Sequence, residues 1–411
     1  MSELNPIDIF RSEFPELQEK VYGKDLVYLD NAATSLRPRT VIKEWESMST
    51  MYNANIHRAV HHISSLATEK YEAARRYVAE YIGAGSSSEI VFTSGTTDSI
   101  NLVAFSFGET FINPGDEIIV GESEHHSNIV PWQMMCQRKA AKLRVIPVDD
   151  NGNLDLGALQ DMINESTKLV AVAHISNVLG IINPIKEVCE ISHMRGVPVL
   201  IDGAQGIVHC KVDVKEIGAD FYVFSGHKIY AAPGTGVLYG RSEWLEKMCP
   251  YRGGGEMIES VNWDKTTYAH SPQKFEAGTQ NISGIPTLIP ALEMAKRLNT
   301  SEVEREESAI RDYILDEFSK RSHIRLYGVP SNKEDKINLF SFSVAGAHHE
   351  DLALILDKMG VAVRSGQMCA EPLMNRYGVT GMLRASFSPI NTLGEAKYFV
   401  QALDRAINML V

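Results

Sequence analysis

The chain has 411 residues, enough for two hydrophobic cores, and its 44% apolar and 22% charged residues are ordinary for a soluble globular protein. A formal net charge of −12 argues against a nucleic-acid backbone as partner, and no apolar run approaches the ~20 residues of a membrane span. The start, Met1-Ser2-Glu3-Leu4-Asn5-Pro6, lacks a basic stretch followed by an apolar one, so a cytoplasmic location is expected.

Along the chain, apolar runs at residues 89–93, 117–120, 143–147, 168–174, 197–202, 221–224 and 236–239 predict strands. Helix-like stretches separate them, which predicts βαβ units and a mostly parallel sheet flanked by helices. Beyond about residue 296 the pattern changes. Ile310, Ile314 and Phe318 predict a helix over 301–320, and residues 337–344 alternate as a half-buried strand does. A short helix over 350–359 ends at Gly360. Strands are expected at 361–364 and 383–388. Thr392 and Glu395 form a capping box for a last helix striped by Phe399, Leu403, Ile407 and Leu410. The fold class is therefore α/β: a large domain over 23–296 and a smaller α+β domain over 297–411, with residues 1–22 expected to pack on the smaller one.

The five cysteines, Cys136, Cys189, Cys210, Cys249 and Cys369, show neither Cys-x-x-Cys nor metal-ligand spacing. Neither a disulfide framework nor a metal site is expected, and most of them should be small buried apolar residues.

Ligands of an open parallel sheet bind beyond the carboxyl ends of its strands. Polar groups follow five of the predicted strands: Ser94-Gly95-Thr96-Thr97-Asp98, Glu124-His125-His126, Asn177, Asp202 with Gln205, and Ser225-Gly226-His227-Lys228. Together they have a specific chemistry. A desolvated lysine loses its proton and attacks an aldehyde. A buried aspartate pairs with a protonated pyridine nitrogen. A Gly/Thr helix start offers N–H groups to a phosphate. A flat imidazole covers a ring face. Lys228, Asp202, Thr96 and His125 thus supply the four parts of a pyridoxal-phosphate (PLP) site.

These motifs resemble those of fold-type I, class V aminotransferase-like enzymes, and more narrowly of the Suf-type (group II) cysteine desulfurases. The likeness runs from Tyr28-Leu29-Asp30-Asn31-Ala32-Ala33 to Arg384-Ala385-Ser386. It includes Glu124-His125-His126-Ser127-Asn128, Asp202-Gly203-Ala204-Gln205, Ser225-Gly226-His227-Lys228 and Arg364-Ser365-Gly366-Gln367-Met368-Cys369-Ala370. The resemblance implies a Schiff base on Lys228, which also shuttles protons at the substrate Cα, Asp202 on the ring nitrogen, Gln205 on the phenolic oxygen, and His125 stacked on the ring and acting in acid–base steps. It implies Thr96, Ser225 and His227 on the phosphate, with Thr279 of Gly278-Thr279-Gln280-Asn281 reaching it from a second subunit of a homodimer. Asn177 would lie near the ring oxygen and the substrate carboxylate, and Arg384 would grip that carboxylate. His57 and Arg58 match a segment that approaches the partner's site. Cys369, beside Arg364, would take sulfur from L-cysteine as a persulfide, leaving L-alanine. The short loop bounded by Glu371-Pro372 implies a SufE- or SufU-like acceptor that comes to it. Many group II members carry two histidines before this cysteine, where this chain has Gln367-Met368.

The alternatives are a selenocysteine lyase, a class V transaminase with Cys369 as a bystander, and a scaffold without chemistry. Nucleotide binding is disfavoured, since neither Gly-x-Gly-x-x-Gly after the first strand nor Gly-x-x-x-x-Gly-Lys-Ser/Thr occurs.

Overall fold

The computed structural model describes residues 6–411. The seven predicted strands all form and make one sheet: β1 (Ile90–Thr93), β2 (Glu117–Gly121), β3 (Lys142–Ile146), β4 (Thr167–Ala173), β5 (Val199–Asp202), β6 (Phe221–Ser225) and β7 (Gly236–Gly240). Their order is β1-β7-β6-β5-β4-β2-β3. Only β7 runs against the others, paired antiparallel to both β1 and β6. The sheet is apolar on both faces. Ile119, Val170, Ile201 and Phe224 enter one core, while their neighbours Ile118, Leu169, Leu200 and Val223 enter the opposite one. That period-two split is what a strand covered on both sides requires.

β7 passes so close to the loop after β1 that a Cβ on Gly236 would collide with the Gly95 backbone. The approach sets the start of helix α1 (Thr96–Phe111) at the same edge as Ser225.

Towards the C-terminus a four-stranded antiparallel sheet forms, ordered β8 (Ile324–Tyr327), β9 (Leu339–Val344), β11 (Met382–Ser386) and β10 (Arg364–Gly366). Helices α2 (Ser301–Ser319), α3 (His349–Lys358) and α4 (Leu393–Leu410) cover it. Ile310, Ile314, Phe318, Phe399, Leu403 and Ile407 share its core, and the Thr392–Glu395 capping box is present. Leu410, expected in the stripe, is 38% exposed at the end of α4.

Two expectations change. The strand expected at 361–364 is divided: Val361–Ala362 pairs in parallel with Val27–Tyr28, and Arg364–Gly366 joins the four-stranded sheet. The first pairing carries Asp30 to the edge of β11, opposite Ser386. The N-terminal segment, expected on the smaller domain, contacts both cores. Arg11 forms a double hydrogen bond with Glu395 of α4, whereas Phe14 packs on Tyr230 with ring centroids 5.6 Å apart. Residues 1–5 lie outside the described residues. Among the described residues, no helix is long and apolar enough to cross a membrane, and no cluster of His, Cys, Asp and Glu could hold a metal ion.

Candidate active site

A cavity of about 290 Å3 opens at the carboxyl edge of the large sheet. Thr96 and Thr97 reach it from the start of α1, His125 from the loop after β2, and Asn177 from the loop after β4. Asp202 and Gln205 follow β5, and Ser225, His227 and Lys228 follow β6. Arg364, Cys369 and Arg384 close it from the C-terminal sheet.

Lys228 ends a single helical turn, Gly226–Lys228, directly after β6. Burial pushes its ammonium down to about 8, opposed by Asp202 and assisted by Arg384. Asp202 is 6% exposed and, among the described residues, its carboxylate takes only the Ala204 N–H, at 3.0 Å. Burial raises its pKa, opposed by that N–H and by Lys228. A buried carboxylate with so few donors has room for one more. Gln205 gives one amide hydrogen to Ala32 O (2.8 Å) and retains the other. At the phosphate end, the Ser225 hydroxyl meets both the backbone N–H and the hydroxyl of Thr96, each at 2.8 Å. His227 Nδ1 lies 3.2 Å from Thr34 Oγ1.

His125 accepts the Ser127 N–H on Nδ1 (3.0 Å), so in the neutral ring the proton sits on Nε2. Burial, then the charge of Lys228, pushes its pKa down to about 4, and the imidazole is neutral at pH 7. The sequence places the adjacent Glu124 at this edge but assigns it no role. It is 1% exposed, and burial pushes it up to about 8. Its two oxygens accept from Ala173 N (3.0 Å) and Asn128 Nδ2 (2.7 Å), and Asn128 Oδ1 accepts from Trp132 Nε1 (2.9 Å). This chain ties the His125 loop to β4. A glutamine at 124 would turn one NH2 towards a fixed donor. Glu124→Gln is therefore expected to destabilise the protein by about 1–3 kcal/mol, read as a lower urea midpoint at unchanged m-value.

Arg384 is 2% exposed, with its Nε buried and without a partner among the described residues. Nη1 donates to Asn177 O (2.8 Å) and Nη2 to Asp30 Oδ1 (3.2 Å). Burial pushes this guanidinium down to about 10, with Asp30 opposing. Arg364 grips the same Asp30 through Nε (3.0 Å) and Nη2 (2.9 Å). Asp30 therefore bridges both arginines, a role its sequence context did not reveal.

Cys369 is exposed, within electrostatic reach of Lys228, Arg364 and Arg384. It and Met368 are both left-handed, with φ of 56° and 52°. Each such residue without glycine's freedom costs on the order of 1 kcal/mol. Three hydrogen bonds hold the shape. His126 N donates to Cys369 O (2.7 Å), Asn177 Nδ2 donates to Met368 O (2.8 Å), and Glu371 N donates to His126 Nε2 (3.0 Å). Of the Gln367-Met368 pair, Met368 is a buried anchor and Gln367 is exposed.

The site fits PLP in its donors: a lysine with a lowered pKa, a buried carboxylate open to a pyridinium, a neutral ring, and a helix start with Ser and Thr hydroxyls. Three predicted residues lie elsewhere in the single chain. Thr279 lines a separate cavity of about 150 Å3. His57 pairs with Glu72 (3.0 Å), and Arg58 with Glu256 (2.9 Å).

Comparison with known proteins agrees with this geometry. The model of the aminotransferase class-V family matches residues 27–399. A probable cysteine desulfurase of Vibrio cholerae serotype O1 is 43% identical over 404 residues, 98% of this chain and 99% of that protein. A cysteine desulfurase of Pectobacterium carotovorum is also 43% identical, over 98% and 99% of the two chains. Among solved structures, the Escherichia coli cysteine desulfurase CsdA superposes with a TM-score of 0.90 at 38% identity, and the enzyme from Thermococcus onnurineus with 0.93 at 38%. Both cover all of each chain. With the family match spanning nearly its whole length and relatives this similar, the chain belongs to the class-V aminotransferase family.

Proposed function

We propose that this protein is a PLP-dependent cysteine desulfurase of the Suf type, converting L-cysteine to L-alanine and retaining the sulfur as a persulfide on Cys369. The supporting observation is convergence: Lys228, Asp202, Arg384 and Cys369, from four separate segments, line one cavity. A transaminase needs the first three but has no use for an exposed thiol aimed by a strained, pinned loop.

When bound, the cofactor supplies an electron sink conjugated to the substrate's Cα. Lys228 would hold the cofactor aldehyde and afterwards carry the proton to and from Cα. Asp202 would keep the ring nitrogen protonated, Gln205 would donate to the phenolic oxygen, and neutral His125 would cover the ring face. Thr96, Ser225 and His227 would hold the phosphate. Arg384, with Asn177 beside it, takes the substrate carboxylate and so fixes the direction in which the thiol points. Cys369 attacks as a thiolate. A bond forms between its Sγ and the substrate sulfur while the substrate's Cβ–S bond breaks. The electron pair stays with the substrate's Cβ, which takes up one proton and becomes the methyl of alanine.

The same reading makes the working unit a homodimer in the cytoplasm. Thr279 of one subunit would reach the phosphate of the other, with His57 and Arg58 near the shared mouth. A SufE- or SufU-like acceptor would collect the sulfur for iron–sulfur cluster assembly. What supports the need for a docking acceptor is the fixed backbone around Cys369, which cannot swing outward as a long loop could.

The direct experiment is incubation of the holoenzyme with L-cysteine, with alanine quantified and the Cys369 peptide weighed. One alanine per sulfur and a 32 Da adduct are expected; pyruvate or a keto acid without the adduct would defeat the reading. Arg384→Lys is expected to raise KM for L-cysteine by on the order of 10²-fold, because a lysine cannot reproduce the fork. Steady-state kinetics checks this.

A further inference from the structure

Two adjacent histidines divide two tasks at this site. His125 lines the catalytic cavity and His126 does not. His126 instead holds the segment that carries Cys369. Its backbone N–H donates to Cys369 O (2.7 Å), and its ring Nε2 accepts the N–H of Glu371 (3.0 Å). In the neutral ring the proton therefore sits on Nδ1, the reverse of His125.

The local sequence explains why an acceptor comes from so far along the chain. Residues Glu371–Tyr377 form a helix whose cap is Ala370, a side chain that cannot accept an N–H. Pro372 has no N–H to place. Ala370 N bonds to Gln367 O (3.0 Å) and Leu373 N to Ala370 O (3.1 Å). The Glu371 N–H, beyond reach of any intrahelical carbonyl, is left for His126. His126 is itself fixed to the frame of the cavity. Ser127 Oγ meets Thr97 Oγ1 at the start of α1 (2.8 Å), and Glu124 accepts from Ala173 N of β4 (3.0 Å). Met368 and Cys369 do not favour their left-handed backbone, so their shape depends on such anchors. Asn177 supplies one before the thiol, and His126 supplies two, at it and after it.

We infer that His126 is a positioning residue for sulfur transfer: its imidazole ties the backbone beyond Cys369 to the frame that holds the cofactor, and so sets the distance from Sγ to the substrate sulfur. The inference rests on the desulfurase reading above and names a residue that acts on one step of it. An acid–base role does not fit, because Nε2 is occupied by an amide N–H and the ring lies outside the cavity lining. Binding of L-cysteine and proton transfer at Cα use Arg384 and Lys228, which His126 does not touch. Loss of the ring should therefore slow the attack by Cys369 and leave the earlier steps alone. The Glu371 N–H is at the surface, where water can replace the imidazole, so the fold should survive while the alignment does not.

The test is single-turnover mixing of the holoenzyme with L-cysteine. The cofactor's absorbance change follows the substrate joining it, and quenched samples weighed at the Cys369 peptide follow sulfur transfer. In His126→Ala the absorbance change is expected within about twofold of the wild-type rate, and the sulfur adduct about tenfold more slowly. The loss is no larger because the backbone bonds to Cys369 O and Met368 O remain. His126→Asn, whose side-chain oxygen extends only as far as Nδ1, should match the alanine variant and replaces it if that variant does not fold. His126→Gln, whose oxygen extends as far as Nε2, should recover most of the rate. Sulfur transfer at the wild-type rate in the alanine or asparagine variant would overturn the inference. So would equal slowing of both phases, or a glutamine variant no faster than the asparagine one. A wild-type enzyme that forms no adduct would instead refute the desulfurase reading itself.

Discussion

Cys369→Ala is expected to lose sulfur release from L-cysteine by on the order of 10³-fold or more while keeping the yellow of the bound cofactor. No other thiol can replace this one. Cys136 and Cys189 are buried, burial holds the thiol of Cys210 up near 11, and none of the other four cysteines lines the catalytic cavity. The site around the deletion should survive. The loop's shape depends on the carbonyls of Met368 and Cys369, which alanine leaves in place. Sulfide release and alanine formation measure the loss, and the absorbance spectrum measures the intact site. L-selenocysteine should be less affected, because selenium leaves carbon without help from a thiol more readily than sulfur does. Full sulfur release from L-cysteine by the variant would refute the nucleophile.

Lys228→Ala is expected to remove turnover as completely, by a different route. The phosphate donors, Asp202 and His125 would still hold the cofactor, so PLP should remain but be washed out on dialysis. Proton transfer at Cα would lose its carrier, worth typically 10²–10⁴-fold by itself. Lys228→Arg should behave the same way, since a guanidinium keeps the charge but cannot attack an aldehyde. The wild-type apoenzyme carries a related pH signature. With the Lys228 pKa lowered to about 8, the neutral amine increases as pH rises. Reloading with PLP should therefore accelerate from pH 6 to about 8 and then level off, where an ordinary lysine would keep accelerating beyond 10. Stopped-flow absorbance follows it.

Six strands of the large sheet were legible because each is largely buried on both faces and reads as an apolar run; the edge strand Lys142–Ile146, of which only Ile146 is buried, was legible from Leu143, Val145 and Ile146. The polar residues beyond their carboxyl ends were legible for a related reason: topology sends every parallel strand to the same edge. What escaped the sequence depends on contacts between distant segments. Asp30 lies on no periodic pattern, and its partners Arg364 and Arg384 are more than 330 residues away. The strand Ile324–Tyr327 has four residues, too few for alternation to register. Glu124 stands beside two histidines that drew the functional reading, while its bond to Ala173 exists only once β2 and β4 pair. The left-handed pair Met368-Cys369 could not be read either, since neither residue favours that conformation and only the surrounding hydrogen bonds impose it.

The most direct test of the whole account is reduction of the resting holoenzyme with borohydride followed by peptide mapping. One pyridoxyl group per chain, on Lys228 alone, is the predicted result. A stable label on any other lysine, or a chain that binds PLP and yields no label, would contradict it.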